Sequence, residues 1–171
     1  DAARAEATLR EQLAAIPAGA PITQYLAFTE YQVPKAIKSD AFRRMRESAH
    51  FADEYHSAVV HANSDTAAQW MRFAAEFPGD RAPVIEAIRM AGADLATRID
   101  SLGRKPKQIE EGDDATYDAL ARFGGFFAAT FALREAGVGD FTPELRAILV
   151  AARTKQSVPG VRSDIVRVAS Y

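Results

Sequence analysis

The sequence predicts an all-α protein: a single domain spanning residues 1–171, built as a bundle of about six to seven helices around a central antiparallel hairpin at about 82–136. Three observations support this fold class. Alanine, a strong helix former, is abundant, and runs of β-branched residues are scarce. Apolar residues recur at three- and four-residue steps, which is the period of a helix. The chain is 171 residues long, 48% hydrophobic and 26% charged, which is enough to fold around a core.

The N-terminal segment predicts two helices separated by proline-rich sequence. The first extends over about 2–16, where apolar residues recur on one stripe. The sequence PAGAP at 17–21 ends it, and Pro21 suits the first turn of the next helix, where a missing N–H costs nothing. Pro34 ends or kinks this second helix, because proline in a helix interior removes a hydrogen bond.

A long third helix and a fourth helix follow. Ser39 or Asp40 is a suitable N-cap for the third, since both side chains accept hydrogen bonds from free backbone N–H groups. We expect this helix to continue unbroken to about Ala62. Ser64 or Asp65 is the expected N-cap of the fourth helix.

The central hairpin is predicted from two helices with the same apolar spacing. After FPGD, which is a stop sequence, the fifth helix extends from about Ala82 to Leu102 and the sixth from about Ala115 to Ala136. The apolar positions of the fifth are Ile85, Ile88, Gly92, Leu95, Ile99 and Leu102. Those of the sixth are Tyr117, Leu120, Gly124, Phe127 and Phe131. Steps of three and four residues characterise the seams of helical bundles. We therefore expect both stripes to face the core, with the segment 103–114 as the connecting loop.

Two glycines on these stripes predict a close helix crossing. Glycine costs about 1 kcal/mol relative to alanine inside a helix, so its presence needs a reason. Gly92 and Gly124 lie at nearly the same height in an antiparallel hairpin. We predict that the two helices approach each other there and that Gly124→Leu destabilises the fold. The alternative is a notch for a ligand among the phenylalanines of the sixth helix: Phe123, Phe126, Phe127 and Phe131.

The seventh helix has the clearest start in the chain. Thr142 is a suitable cap, Pro143 follows at the first helical position, and Glu144 lies near the positive end of the helix dipole. SVPG at 157–160 is the expected stop. The tail after it is predicted as a helical turn or coil, because a single strand has no partner in an all-α fold.

All three histidines lie in the stretch RESAHFADEYHSAVVHA at 46–62. On one continuous helix, at about 100° per residue, several polar side chains share one sector. They are Arg43, Glu47, His50, Glu54 and His61. A metal site, and with it a metal-dependent enzyme, would use Glu47, His50 and Glu54. The alternative is a solvated charged face, because metal sites of helical bundles need a second Glu-x-x-His motif and the sequence has none.

The same helix places His56 among apolar residues. We interpret His56 as a buried polar residue, neutral and hydrogen-bonded to a group on another helix, because an unpaired buried imidazole costs free energy. The alternative is a functional or pH-sensing role, since histidine titrates near neutral pH.

Two parts of the sequence are candidates for contact with another protein. The 103–114 loop is basic first and acidic after, through Arg104, Lys105, Lys107, Glu110 and Glu111. It is either a docking loop with complementary charges or an exposed linker. The second candidate is Trp70, either as an aromatic anchor for a partner or as part of the core.

No nucleotide-binding loop, nucleophile elbow or zinc-protease motif is present in the sequence. The sequence therefore predicts no cofactor and no catalytic residue. It favours a non-enzymatic interaction module that binds another protein, such as an adaptor or an inhibitor or immunity-type binder. Two alternatives remain: a helical domain that binds an apolar small ligand near the phenylalanine-rich helix, and the metal-dependent enzyme.

Charge and composition restrict the partners further. A net charge of −2 gives no indication of nucleic-acid binding, and the longest apolar stretch is too short to cross a membrane. The absence of cysteine excludes disulfides and thiolate chemistry. The first residue is Asp1 rather than methionine, which fits an exported protein after signal removal or a shortened chain. We favour export slightly, with the cell envelope or periplasm as the expected location.

Overall fold

The structure, a computed structural model, describes residues 2–102 and 114–155. Within these ranges the chain forms seven α-helices, one 3-10 helix and no strand. In chain order the elements are α1 (Ala2–Ala15), a 3-10 helix (Ile22–Thr29), α2 (Lys35–Arg46), α3 (Phe51–Val60), α4 (Ser64–Arg72), α5 (Ala82–Ser101), α6 (Asp114–Glu135) and α7 (Thr142–Thr154). The all-α prediction is confirmed, and the buried apolar side chains form one cluster.

Helix α5 lies at the centre of the bundle and packs against α3, α6 and α7. Arg98, near the end of α5, contacts Asp118 near the start of α6, with Nη1 and Oδ2 3.3 Å apart. Earlier on α5, Gly92 lies against Phe126, which is later on α6. The earlier residue of α5 thus contacts the later residue of α6, and the later residue of α5 contacts the earlier residue of α6. Helices α5 and α6 are therefore antiparallel, as predicted.

The predicted continuous third helix is wrong. It is two helices, α2 and α3, separated by a turn at residues 47–50. Helix α2 also begins earlier than expected, at Lys35 directly after Pro34, so Ser39 is inside the helix and is not its cap. Ser48 is buried in the turn: its N–H donates to the carbonyl of Met45 at 3.2 Å, and its hydroxyl accepts from the N–H of His50 at 3.2 Å. Serine side chains compete in this way with helical backbone bonds.

An aromatic cluster explains why the chain turns here. Phe77 contacts Phe42 of α2 and both Phe51 and Tyr55 of α3, with ring centroids 4.9–5.1 Å apart and the rings steeply inclined. Edge-to-face pairs of this kind add stabilisation beyond the burial of their area. Because of the turn, α2 and α3 approach Phe77 from two directions, and both helices contribute aromatic rings to the cluster.

We expect the stability of this cluster to decrease at alkaline pH because of Tyr55. Its ring is fully buried, its hydroxyl donates to the carbonyl of Trp70 at 3.1 Å, and burial raises the pKa of Tyr55 far above its ordinary value. The neutral phenol is therefore favoured in the folded state, and we expect its contribution to stability to be complete below pH of about 10, the pKa in the unfolded chain, and to decline above it. Unfolding free energies measured across this range should fall less steeply for Tyr55→Phe than for the wild type. Equal slopes would contradict the prediction.

The caps of the later helices differ slightly from those expected. Asn63, rather than Ser64 or Asp65, caps α4 and accepts the N–H of Thr66 at 3.0 Å. Helix α7 begins at Thr142 as predicted, but the free N–H of Thr142 donates to the carboxylate of Asp140 at 3.0 Å. The tail from residue 157 lies outside the described residues. No helix in the described part of the chain is long and apolar enough to span a membrane.

Candidate functional site

The three histidines do not gather around one centre. His50 is exposed at the N-cap of α3, and His61 is exposed at its C-cap. His56 is half-buried, and its ring meets that of His61 edge-on, with centroids 5.4 Å apart. Its Nε2 atom is shielded from solvent and has no hydrogen-bond partner among the described residues, so the expected partner on another helix is not observed.

The carboxylates of both candidate glutamate ligands, Glu47 and Glu54, have other hydrogen-bond partners. The carboxylate of Glu47 accepts from Arg43 at 2.5 Å, and that of Glu54 accepts the backbone N–H of Ile22 at 3.0 Å. Across residues 2–102 and 114–155, no three histidine, aspartate or glutamate side chains are close enough to hold a metal ion. The predicted arrangement of these ligands required one continuous helix, and that helix is broken. Residues 40–62 therefore do not distinguish a protein-binding module from a metal-dependent enzyme, and other surfaces have to be considered.

The predicted partner-binding residues give no docking surface in the described structure. Trp70 is completely buried and packs edge-on against Phe73, which matches its interpretation as a core residue. The charged loop residues lie outside the described part of the chain: Arg104, Lys105, Lys107, Glu110 and Glu111.

Helix α6 turns its predicted seam outward, and that prediction is wrong. Tyr117 and Phe131 are 58% and 60% exposed, and Gly124 is on the surface: among the described residues, no atom beyond its own stretch of helix lies within 4 Å of an added Cβ. The predicted crossing of Gly124 with α5 therefore does not occur. The buried side chains of α6 are Thr116, Ala119, Arg122, Phe126, Ala129, Thr130 and Leu133, together with Gly125.

Two close contacts fix this orientation of α6. A Cβ at Gly125 would lie 2.5 Å from the Cα of Ala68, so α4 and α6 touch through their backbones there. A Cβ at Gly92 would lie 2.6 Å from the ring of Phe126, so the glycine of α5 makes room for a phenylalanine of α6. Gly92 thus permits the predicted approach of α5 and α6, although its partner is Phe126.

An apolar groove separates α6 from α7. Both helices pack on α5, and the surface between them has two cavities of about 260 and 410 Å³. The two cavities share Phe127, Thr142 and Leu145 and so form one continuous depression, which we call the α6–α7 groove. The smaller cavity is lined chiefly by apolar side chains: Phe123, Phe127, Leu145, Ile148 and Leu149.

Two arginines border this groove from opposite sides. Arg134 of α6 lines the larger cavity and Arg146 of α7 the smaller one; both are exposed. Neither forms an ion pair with another residue in the described ranges. Asp140 also lines the larger cavity, but hydrogen bonds from the hydroxyl and N–H of Thr142 engage its carboxylate and lower its pKa. A lowered pKa keeps the Asp140 carboxylate ionised, so the rim of this apolar groove carries two basic side chains and one acidic side chain.

Sequence reasoning missed this site for an identifiable reason. An arginine in the last turn of a helix is expected near the negative end of the dipole and needs no other function. The exposed phenylalanines had the spacing of a core seam and were assigned to the interior. The available indication was that α6 is apolar on more than one face, which is unusual for a helix with only one side in the core.

Comparisons with known proteins identify no relative: no family model matches the chain, and no curated protein and no solved structure is similar to it.

Proposed function

We propose that this protein is a non-enzymatic interaction module and that it binds another protein through the α6–α7 groove. The observation that supports this is the aromatic stripe on the outer face of α6. Phe127 and Phe131, which line the groove, are 45% and 60% exposed. Contiguous apolar surface of this kind is typical of interaction sites.

The location of the aromatic residues favours a macromolecular partner. Aromatic side chains and arginine are enriched at the centres of protein interfaces, and both are present at this groove. The groove is a shallow depression along two helices, which matches an elongated partner better than a compact one. The same geometry is compatible with a role of this protein as an adaptor, an inhibitor or an immunity-type binder.

Site-specific photo-crosslinking tests the proposal. A photoreactive phenylalanine analogue replaces Phe131 in the groove or, as a matched control, Tyr31, which is 98% exposed in the turn between the 3-10 helix and α2. We expect a single protein adduct in host cells from position 131 and none from position 31. Phe131→Glu should weaken capture of the same protein by about thirtyfold, as expected for loss of an interface anchor worth about 2 kcal/mol. Equal adducts from both positions, or none from 131, would refute the proposed docking surface.

A second candidate function is binding of an apolar small ligand. The cavity of about 260 Å³ with its apolar lining supports it, although it is slightly smaller than the usual range for ligand pockets. A small apolar molecule that co-purifies with the wild type and is lost in Phe123→Asp would favour this candidate, provided that position 131 yields no protein adduct.

A further inference from the structure

A cavity of about 430 Å³ lies where the 3-10 helix, the start of α2 and the turn after α4 meet. Its volume is within the usual range of small-ligand sites, about 300–1,000 Å³. It shares no lining residue with the α6–α7 groove. We call it the α2 cavity, and the residues around it are Thr29, Tyr31, Val33, Lys35, Lys38, Phe42, Phe73 and Glu76.

The inner wall of the α2 cavity is apolar and partly aromatic. Val33 and Phe42 are buried, and Phe73 is half-buried. The rings of Phe42 and Phe73 lie 5.5 Å apart between centroids and are inclined at 60°. Aromatic rings stabilise one another in inclined arrangements of this kind, beyond the area that they bury. The wall therefore suits a ligand with an apolar body, and an aromatic body best.

Two lysines give one side of the α2 cavity a positive charge. Lys35 and Lys38 are three residues apart at the start of α2, so their side chains share a face of that helix. No acidic residue is present in the first turn of α2. Positive side chains at a helix start lie near the positive end of the dipole, which is unfavourable for the fold. A bound anion would offset that repulsion.

The positive charge of the two lysines is not neutralised within the described residues, where neither lysine forms an ion pair. The carboxylate of Asp40, on the same helix, is paired with Arg43 and Arg44 instead. The Nζ of Lys38 donates to the carbonyl of Tyr31 at 3.3 Å. An ammonium has three N–H donors, so two of those of Lys38 remain for a ligand.

Glu76 limits the charge of that ligand. Two lysines and one glutamate leave one net positive charge on the lining of the α2 cavity. Glu76 has no ion-pair partner in the described ranges, so a second negative charge on the ligand would meet repulsion. A carboxylate carries a single negative charge at neutral pH, whereas a phosphate monoester carries about −1.5 to −2. The lining therefore matches a monocarboxylate.

We propose that the α2 cavity binds a small aromatic monocarboxylate, whose ring packs against the aromatic wall and whose carboxylate lies between Lys35 and Lys38. This site goes beyond the proposed protein-binding function and does not depend on it. A small ligand at this site gives no protein adduct, so Tyr31 remains a valid control for the cross-link at Phe131.

Titration calorimetry with three aromatic acids of increasing size tests the proposal: benzoate, 3-phenylpropanoate and 1-naphthylacetate. We expect at least one acid to bind, and to bind at least about tenfold more tightly than its own amide, which has the same body without the charge. That acid should also bind more tightly than the phosphate ester of the matching alcohol, and Glu76→Gln should reduce this preference. Binding of none of the acids, equal binding of acid and amide, or tighter binding of the phosphate ester overturns the proposal.

Two double variants with the same change in net charge locate the site. Lys35→Gln combined with Lys38→Gln removes two positive charges from the lining. Arg4→Gln combined with Arg153→Gln removes two at exposed positions outside it. We expect the lysine variant to weaken binding of the acid at least about tenfold and the arginine variant to leave it within about twofold. The unfolding midpoint of the lysine variant should equal or exceed that of the wild type, because the repulsion at the helix start is relieved. Equal weakening in both variants, or in neither, overturns the assignment.

Discussion

Replacing Arg122 with methionine is expected to destabilise the protein by about 3 kcal/mol, the low end for breaking a buried ion pair by removing one partner. Arg122 lies on the inward face of α6 and is only 5% exposed. Its Nε donates to the carboxylate of Asp118 at 3.0–3.1 Å. Its two terminal nitrogens donate to the carbonyls of Val60 and Ala62 at 3.2 and 2.5 Å.

The carbonyls that Arg122 contacts belong to Val60, the last residue of α3, and to Ala62 in the turn that follows it. The last carbonyls of a helix have no partner within that helix, and they carry the negative end of its dipole. One guanidinium therefore satisfies a carbonyl at the end of α3, a carbonyl in the following turn and a carboxylate of α6 at once, and no uncharged side chain of similar size can replace it. Asp118 keeps its contact with Arg98 in the variant, which limits the loss.

Equilibrium denaturation by urea measures this effect. The matched control is Arg134→Met, which makes the same chemical change at an exposed arginine of the same helix and should alter stability by no more than about 0.5 kcal/mol. Arg122→Lys should fall between the two, because one ammonium cannot reach all three acceptors in the geometry of a guanidinium. If Arg122→Met and Arg134→Met unfold at the same urea concentration, Arg122 does not support the fold.

Arg122 also explains why the sequence predicted the wrong face of α6. Steps of three and four residues fit the stripe that begins at Tyr117, but they fit equally well a stripe that begins two residues later. That second stripe comprises Ala119, Arg122, Phe126, Ala129 and Leu133. Two residues rotate a helix by about 200°, so the stripes lie on opposite faces. The second stripe contains a charged residue, which is unusual on a buried face, and the Asp118 carboxylate together with the carbonyls of Val60 and Ala62 makes that charge acceptable there.

The predicted bounds of α5 and α6 agree with the structure to within about a residue because local signals define them. FPGD precedes α5, and both helices have regular apolar spacing over some twenty residues. The turn between α2 and α3 has no such signal: it contains neither glycine nor proline, and its cause is the packing of Phe42 and Phe51 around Phe77. Contacts between residues distant in sequence determine where this turn lies, and the apolar spacing of the sequence does not report such contacts.

The candidate site was not predictable for a related reason. Spacing identifies which residues of α6 share a face, but it does not say whether that face meets the core or another molecule. Phe131 and Trp70 are both large aromatic residues in apolar stripes, yet one is exposed and the other is buried. The decision depends on which side of each helix its neighbours occupy, and that is a property of the assembled bundle.

Adding one methyl group at Gly125 and one at Gly124 is expected to change stability in opposite directions. Both substitutions to alanine bring the same gain in helix propensity, about 1 kcal/mol. At Gly125 the new Cβ would lie 2.5 Å from the Cα and 2.9 Å from the carbonyl oxygen of Ala68, which are backbone atoms that a rotamer change cannot move. Overpacking of this kind costs about 1–3 kcal/mol. Helices α4 and α6 must separate to accommodate it.

Thermal unfolding of the two variants isolates the crossing of α4 and α6. Gly124→Ala should raise the unfolding midpoint by about 2–4 °C, because each kcal/mol shifts the midpoint of a chain of this size by about that amount. Gly125→Ala should lower the midpoint, although it adds the same side chain. Gly125→Leu should lower it further, while Gly124→Leu should raise it nearly as much as Gly124→Ala, because leucine is almost as good a helix former as alanine. Because the two positions are adjacent on one helix, composition, propensity and unfolded-state effects cancel in the comparison. Equal midpoints for the two alanine variants would therefore contradict the close approach of Gly125 to Ala68, and with it the orientation that leaves the aromatic stripe of α6 on the surface.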